Sequence, residues 1–231
     1  MSAGQLALDL GARPALGMED FVVGPCNEAA IAWLDRWPDW PGPALAIHGP
    51  PGCGKTHLAH VFRARARARP VAAADLEAAG ARPLAEAAGA VVLDDFDRAL
   101  EGEPRLDEAA LLHLHNALAE AGGHLLLTAG AAPARWDLRL PDLASRLRAA
   151  PAVAVTAPDD ALMTAVLVKL FADRQLRVGQ GVVEFLVRRI ERSFEAARDI
   201  VAAIDAGALA AHRNVTVPLA REVLGRRELE T

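Results

Sequence analysis

GPPGCGKT, residues 49–56, is the stretch that decides the fold of this 231-residue chain. It fits the pattern G-x-x-x-x-G-K-[ST], in which a glycine-rich loop lets backbone N–H groups surround phosphate groups. The apolar run ALAIHG (44–49) before it predicts a buried strand, and residues 55–68 after it have a helical pattern. Strand, loop and helix in this order predict a phosphate site at a helix N-terminus, where the helix dipole favours an anion.

Each residue of this loop has an expected role in holding a nucleotide. Lys55 is expected to reach the terminal phosphates and Thr56 to hold Mg²⁺. Lys55 and Lys169 are the only lysines among the 25 basic residues, so a lysine here departs from the chain's preference for arginine. The alternative is a glycine-rich turn that matches the pattern by chance. The nucleotide-binding residues predicted from the loop are Pro51, Gly52, Cys53, Gly54, Lys55, Thr56 and His57.

A second acidic motif lies in AVVLDDF, residues 90–96. Two carboxylates at the end of a buried strand are costly unless a cation is near, because unpaired buried charge costs several kcal/mol. We therefore expect Asp94 to take the metal through water and Asp95 to orient or polarise an attacking water. The alternative is a plain acidic turn at the strand end.

The order of segments predicts an α/β fold with a five-stranded parallel sheet and flanking helices. After Pro158 the apolar residues follow helical spacing, which predicts a smaller helical domain. The predicted strands are 44–49, 70–75, 90–96, 124–130 and 151–158, and the predicted helices are 55–68, 83–88, 107–121, 141–149, 159–171, 182–193 and 194–211, followed by a short strand or turn and a helix over 215–224.

Composition narrows the classes of protein to which the chain can belong. A net charge of −5 argues against a pervasive nucleic-acid-binding surface, and two cysteines, Cys26 and Cys53, are too few for a disulfide framework. The N-terminus lacks the pattern of a signal peptide, and the longest apolar runs are too short to span a membrane. We therefore expect a soluble cytoplasmic protein without a membrane partner.

The motifs together resemble the AAA+ ATPases of the bacterial replication-initiator (DnaA) family. The resemblance rests on FVVGPCNEAA (21–30), GPPGCGKTHLAHVF (49–62), VVLDDFD (91–97), LPDLASRL (140–147) and FEAARDIVAAID (194–205). It implies an AAA+ module over 16–157, a helical lid domain over 158–231, and bound ADP or ATP with Mg²⁺, ADP being favoured. Since residue 231 follows the lid, we expect no helix-turn-helix DNA-binding domain, as in the short regulatory members of this family.

The N-terminal run QLALDL (5–10) has two interpretations. It could be an edge strand or an apolar tail packed on its own domain. The family resemblance instead implies that residues 1–15 form a flexible peptide that binds the DNA polymerase sliding clamp. Leucines would then fill an apolar groove and a glutamine would bond at its edge; the implied clamp-binding residues are Gln5, Leu6, Leu8 and Leu10.

The resemblance also assigns two arginines and an adenine pocket. Arg146 matches an arginine finger offered to nucleotide on a neighbouring subunit, and Arg198 matches the sensor-2 arginine of the lid. Either could instead be an ordinary surface arginine of a helix. The adenine pocket implied by the resemblance is formed by Phe21, Val22, Val23 and Asn27, of which Val23 and Asn27 could equally be packing and turn residues.

One position departs from the family pattern. The strand ending LLLTAG (125–130) should present a polar sensor-1 residue, but Ala129 and Gly130 occupy the expected positions and Thr128 is the only candidate. We therefore expect a nucleotide-binding protein that hydrolyses ATP poorly by itself.

Three functions remain open from the sequence. The first is a negative regulator of replication initiation that binds the clamp and offers Arg146 to ATP held by the initiator. The second is a stand-alone ATPase resembling helicase loaders, and the third is a nucleotide-stabilised scaffold. A homodimer and contact with DNA mainly through the clamp are further expectations, while a basic lid stretch (188–192) is more often a solvated helix face.

Overall fold

The computed structural model describes residues 22–72, 76, 80–102, 105–211 and 213–230. Phe21 and the predicted clamp-binding residues, Gln5, Leu6, Leu8 and Leu10, lie outside this part of the chain. The proposed domain boundary at residue 15 therefore remains a prediction.

A five-stranded parallel sheet forms the centre of the first domain, with strand order β2-β3-β4-β1-β5. Because all strands run the same way, their carboxyl ends meet at one edge of the sheet, where ligand sites of open α/β sheets lie. At this edge His48 of β1 is in register with Ala129 of β4. The strands are β1 (Ala44–His48), β2 (Arg69–Pro70), β3 (Ala90–Leu93), β4 (His124–Ala129) and β5 (Ala152–Ala154).

Helices cover both faces of the sheet, and the side chains of β1 are accordingly apolar on both faces. Its side chains alternate between two apolar clusters, with Ala44 and Ala46 in one and Leu45 and Ile47 in the other. A strand buried on both faces is apolar throughout, as the sequence indicated. The helices of this domain are α1 (Glu28–Asp35), α2 (Lys55–Ala66), α3 (Ala81–Ala88), α4 (Phe96–Glu101), α5 (Glu108–Ala121) and α6 (Pro141–Ala149).

The C-terminal part is a helical lid with its own apolar core. Asp159 caps its first helix by accepting a hydrogen bond from the backbone N–H of Leu162 at 2.8 Å. A third apolar cluster runs from Met163 to Val223 and contains residues of all four lid helices. These are α7 (Asp160–Asp173), α8 (Gln180–Val187), α9 (Phe194–Ala211) and α10 (Val217–Glu230). None of the helices in the described part of the chain is long and apolar enough to cross a membrane.

The predicted fold class is confirmed, whereas several element bounds were wrong. The third strand ends at Leu93 rather than residue 96, because Asp95 takes a left-handed conformation (φ 51°) and α4 begins at Phe96. The second strand contains only Arg69 and Pro70, and α8 ends at Val187, where residue 193 was expected. Helices α1 and α4 were missed.

Candidate nucleotide site

The phosphate loop between β1 and α2 has a backbone that only glycine adopts readily. Gly52 and Gly54 have φ angles of 70° and 102°, in the region that side chains disfavour. Gly49 is required for another reason, since a Cβ there would lie 2.1 Å from the carbonyl oxygen of Val155. Gly49 thus lets the loop backbone lie close to the residue that follows β5, while Gly52 and Gly54 allow the left-handed turns of the loop.

Lys55 lies at the first position of α2 and is folded against the loop. Its Nζ donates hydrogen bonds to the carbonyl oxygens of Gly49 at 2.9 Å and Pro50 at 3.0 Å, and the residue is only 7% exposed. Thr56 is exposed beside it, and Cys53 packs into the apolar cluster below the loop. Pro51 is exposed on the outer side of the loop, so Cys53 and Pro51 could contact a phosphate only through backbone groups.

Asp94 and Asp95 are held by Thr128 of the neighbouring strand. The Thr128 hydroxyl donates a hydrogen bond to Oδ1 of Asp94 and accepts one from the backbone N–H of Asp95 at 3.0 Å. The Asp95 carboxylate turns toward the surface, 3.6 Å from the guanidinium of Arg98. Asp94 keeps its second oxygen free of this contact, which suits a carboxylate that approaches a cation.

The lid touches the phosphate loop directly. The backbone N–H of Phe194 donates a hydrogen bond to the carbonyl oxygen of Gly52 at 2.9 Å. A Cβ on Gly52 would lie 2.5 Å from the Cβ of Ser193, and one on Gly54 would lie 3.1 Å from the Phe194 ring. The first turn of α9 therefore packs against the loop without space for a side chain.

A cavity of about 230 Å³ opens beside this contact. The loop contributes Gly54, the first turn of α2 contributes His57, the lid contributes Arg198 from α9, and Val22 lines the N-terminal side. Four predicted site residues are thus brought together. Five other lining residues were missed. One is Phe194 at the start of α9, and the spacing of the others along α7 places them on one helix face: Val166, Lys169, Leu170 and Asp173.

Asn27 contributes to the cavity indirectly, because its side chain holds the backbone of residues 22–24. Its buried side chain accepts a hydrogen bond from the N–H of Gly24 at 2.9 Å and donates one to the carbonyl of Val22 at 3.2 Å. Val23 is partly buried against the core of the sheet domain. The side chains of Asn27 and Val23 therefore shape and anchor the segment that carries Val22.

Arg146 lies on α6, outside the residues that line the cavity. Its side chain is 42% exposed, and its Nε lies 3.3 Å from the carboxylate of Asp142, one turn earlier in the same helix. An exposed i,i+4 pair of this kind contributes only about 0.3–0.5 kcal/mol. The guanidinium can therefore leave Asp142 at little cost.

Burial shifts the pKa of several groups near the loop. It raises the pKa of the Cys26 thiol to about 11. It also raises the pKa of the Cys53 thiol, although the positive charge of nearby Lys55 partly opposes this increase. Burial also lowers the pKa of His48, at the end of β1. At neutral pH both thiols are therefore protonated and unreactive.

The residues present fit a phosphorylated ligand with Mg²⁺. Left-handed glycines, a buried lysine and a helix N-terminus are the groups that hold phosphates. Mg²⁺ is bound through one or two carboxylates together with substrate phosphates, so Asp94 and the Thr56 hydroxyl are a fitting donor set. The described residues contain no cluster of three or more His, Cys, Asp or Glu residues that would hold a metal without such a ligand.

Comparison with known proteins supports a relationship to replication proteins. A family model described as "Hda, lid domain" matches residues 160–224. The chromosomal replication initiator protein DnaA of Thermomicrobium roseum is 29% identical over 93% of this chain and 50% of its own length. The chain therefore spans half of that relative. An uncharacterized protein of Haemophilus influenzae is 26% identical over 79% of this chain and 81% of its own length.

Solved structures show the same fold. Domain III of the Thermotoga maritima replication initiation protein DnaA superposes with a TM-score of 0.77 at 17% identity, covering 93% of this chain and 97% of that one. The AMPPCP-bound DnaA of Aquifex aeolicus gives a TM-score of 0.70 at 19% identity, covering 94% of this chain and 70% of that one. The chain therefore has the fold of an AAA+ module with a C-terminal lid, and it is similar to the replication initiator DnaA and, in its lid, to Hda.

Proposed function

We propose that the chain is a negative regulator of replication initiation that holds an adenine nucleotide and stimulates ATP hydrolysis by the initiator. The observation that carries this proposal is the position of Arg146, exposed on α6 and paired only within its own helix in the described part of the chain. A guanidinium so placed is available to a phosphate on another protein. An arginine supplied in trans can raise a hydrolysis rate by about 10³–10⁵.

The chain's own nucleotide has a separate, stabilising role in this proposal. Lys55 and the loop N–H groups would hold its phosphates, and Arg198 would reach the phosphates from the lid. Thr56 and Asp94 would hold its Mg²⁺. ADP is the favoured form, in keeping with a resident ligand. A ligand that binds only the folded state stabilises it by about 2.7 kcal/mol at one hundred times its Kd.

The N-terminal residues would supply the second partner, the sliding clamp. Gln5, Leu6, Leu8 and Leu10 are proposed to dock there as an extended peptide. Each leucine could contribute about 1.5–3 kcal/mol by burial, before the cost of ordering the segment is subtracted. The clamp would thereby bring Arg146 to initiator on the same DNA, so contact with DNA is mainly indirect.

The test is ATP hydrolysis by purified initiator in the presence of DNA-loaded clamp and this chain. We expect Arg146→Ala to abolish the stimulation while clamp binding persists, and Gln5→Ala with Leu8→Ala to abolish clamp binding. Arg148→Ala is the matched control, because Arg148 is an exposed arginine of the same helix. Full stimulation by the Arg146→Ala protein would refute the proposed role of Arg146.

One observation favours the second candidate, a stand-alone ATPase resembling helicase loaders. Thr128 fixes the carboxylate of Asp94 and the backbone of Asp95, so the acidic motif keeps a defined geometry even though Ala129 and Gly130 replace a polar sensor-1 group. ATP turnover by the purified chain alone, stimulated by DNA and lost in Asp95→Asn, would favour this candidate over the regulator.

A further inference from the structure

Helix α7 presents a stripe of four residues to the cavity beside the phosphate loop. Val166, Lys169, Leu170 and Asp173 are spaced at three and four residues and share one helix face. Lys169 is one of the chain's two lysines. The fully buried stripe of the same helix, which includes Leu167 and Phe171, packs instead into the lid core.

The charged members of this stripe form an ion pair. Lys169 Nζ donates to both carboxylate oxygens of Asp173, at distances of 3.2 and 3.1 Å. The lysine side chain is 26% exposed and the aspartate side chain 50%, so both are accessible from the cavity. The apolar remainder of the wall is formed by Val22, Val166, Leu170 and Phe194.

The size and position of the cavity indicate which part of a nucleotide it would take. At about 230 Å³ it is smaller than the roughly 300–1,000 Å³ of pockets that enclose whole ligands. It borders the phosphate loop at Gly54 and the first turn of α2 at His57, and the rest of its wall comes mostly from the lid. With phosphates in the loop, the apolar space is left for the base.

We propose that Asp173 selects the purine base, favouring adenine over guanine, while its partner Lys169 anchors the base; this deepens and rests on the nucleotide binding proposed above. One edge of adenine offers the N6 amino group as donor beside N7 as acceptor, whereas guanine offers two acceptors, O6 and N7. A carboxylate beside an ammonium matches the adenine pattern. The preference comes from Asp173, which accepts from the adenine amino group and repels O6 of guanine, while Lys169 can donate to N7 of either base and to O6 of guanine.

The test measures Kd for ADP and for GDP on the full chain, by displacement of a fluorescent ADP analogue. We expect Asp173→Asn to reduce the preference for ADP at least tenfold, because the amide can donate to O6. Lys169→Met should weaken the binding of both nucleotides, and that of GDP at least as much as that of ADP. Asp205→Asn is the matched control, since Asp205 pairs with Arg174 at 3.8 Å and does not line the cavity.

The outcomes separate this proposal from the one on which it rests. Binding of both nucleotides with an unchanged ratio in Asp173→Asn would overturn base selection by Asp173 and leave nucleotide binding intact. An equal loss of both nucleotides in that variant would overturn it as well, because such a loss indicates a structural role. A wild-type chain that binds neither nucleotide would overturn both proposals. Circular dichroism and thermal melting establish that each variant is folded.

Discussion

The hydroxyl of Thr128 donates a hydrogen bond to Asp94, and so joins the ends of two neighbouring strands at the nucleotide site. The same oxygen accepts the backbone N–H of Asp95, which stands in a left-handed conformation. One buried threonine thereby fixes the side chain of the first aspartate and the backbone of the second. It does so although Thr128 lies one residue before the positions expected for a polar sensor.

Replacing Thr128 with valine tests this relationship, because the shape is kept and the hydroxyl is lost. The Asp94 carboxylate then loses a donor and the Asp95 N–H loses its acceptor. A buried polar group left without its partner costs about 1–3 kcal/mol, and we expect the free energy of unfolding to fall by that amount. Urea denaturation measures it.

Thr128→Ser is the matched control, since it restores the hydroxyl and removes only a methyl group. It should recover most of the loss caused by valine. If the Thr128→Val protein were as stable as the wild type, the two hydrogen bonds would contribute nothing to folding.

Gly52→Ala should weaken nucleotide binding by disturbing the contact between loop and lid. A Cβ there would lie 2.5 Å from that of Ser193, in addition to the strain of a φ angle of 70°. Gly122→Ala provides the control, because Gly122 has a φ angle of 67° and nothing within 4 Å of the added carbon. The strain alone costs about 1–2 kcal/mol.

Stability should fall more in Gly52→Ala than in Gly122→Ala, and only the former should raise the Kd for ADP. Thermal melting and ADP titration of the two variants give both quantities. Equal effects of the two variants on stability and binding would contradict a steric role for Ser193.

The stability of the chain should decrease as the pH falls below about 6.5. His124 is buried between the rings of Trp37 and Trp40, and burial lowers its pKa from the ordinary value near 6.5. The unfolded chain then binds a proton at a higher pH than the folded chain does. The contribution of neutral His124 to stability is therefore fully present above the pKa that this residue has in the unfolded chain. It is lost as the pH falls toward the pKa of His124 in the folded chain.

His115, on α5, has a pKa lowered by burial and contributes in the same direction. His124→Gln should consequently flatten the pH dependence between about pH 7 and 5 without abolishing it. Denaturant titrations at several pH values measure the slope. An unchanged slope in the variant would show that His124 does not titrate on unfolding in this range.

Thiol reactivity offers a probe of the loop. Cys53 and Cys26 are buried at 1% and 8% exposure, and burial raises the pKa of both thiols. We expect a thiol reagent at pH 8 to label the native chain at least tenfold more slowly than the chain in urea, since the thiolate is the reactive form. Comparable rates would mean that the loop opens readily.

The sequence was most informative where function restricts the residue type. The pattern around Lys55 predicted the loop, and alternating apolar segments predicted the parallel sheet. Asp95 could not be placed correctly, because its left-handed backbone depends on Thr128, 33 residues away. Lys169 and Asp173 were missed for a similar reason, since their spacing indicates a helix face but not what that face meets. The roles of Arg146 and the clamp-binding residues remain predictions.

The hydrogen bond from Phe194 to Gly52 makes the lid and the phosphate loop parts of one equilibrium. A change in lid angle would displace the loop through this hydrogen bond, and a ligand that moves the loop would in turn change the preferred lid angle. Linkage is reciprocal for binding free energies. A partner that tilts the lid would thus change the affinity of the chain for the nucleotide. The bound nucleotide would change the affinity for that partner by the same factor.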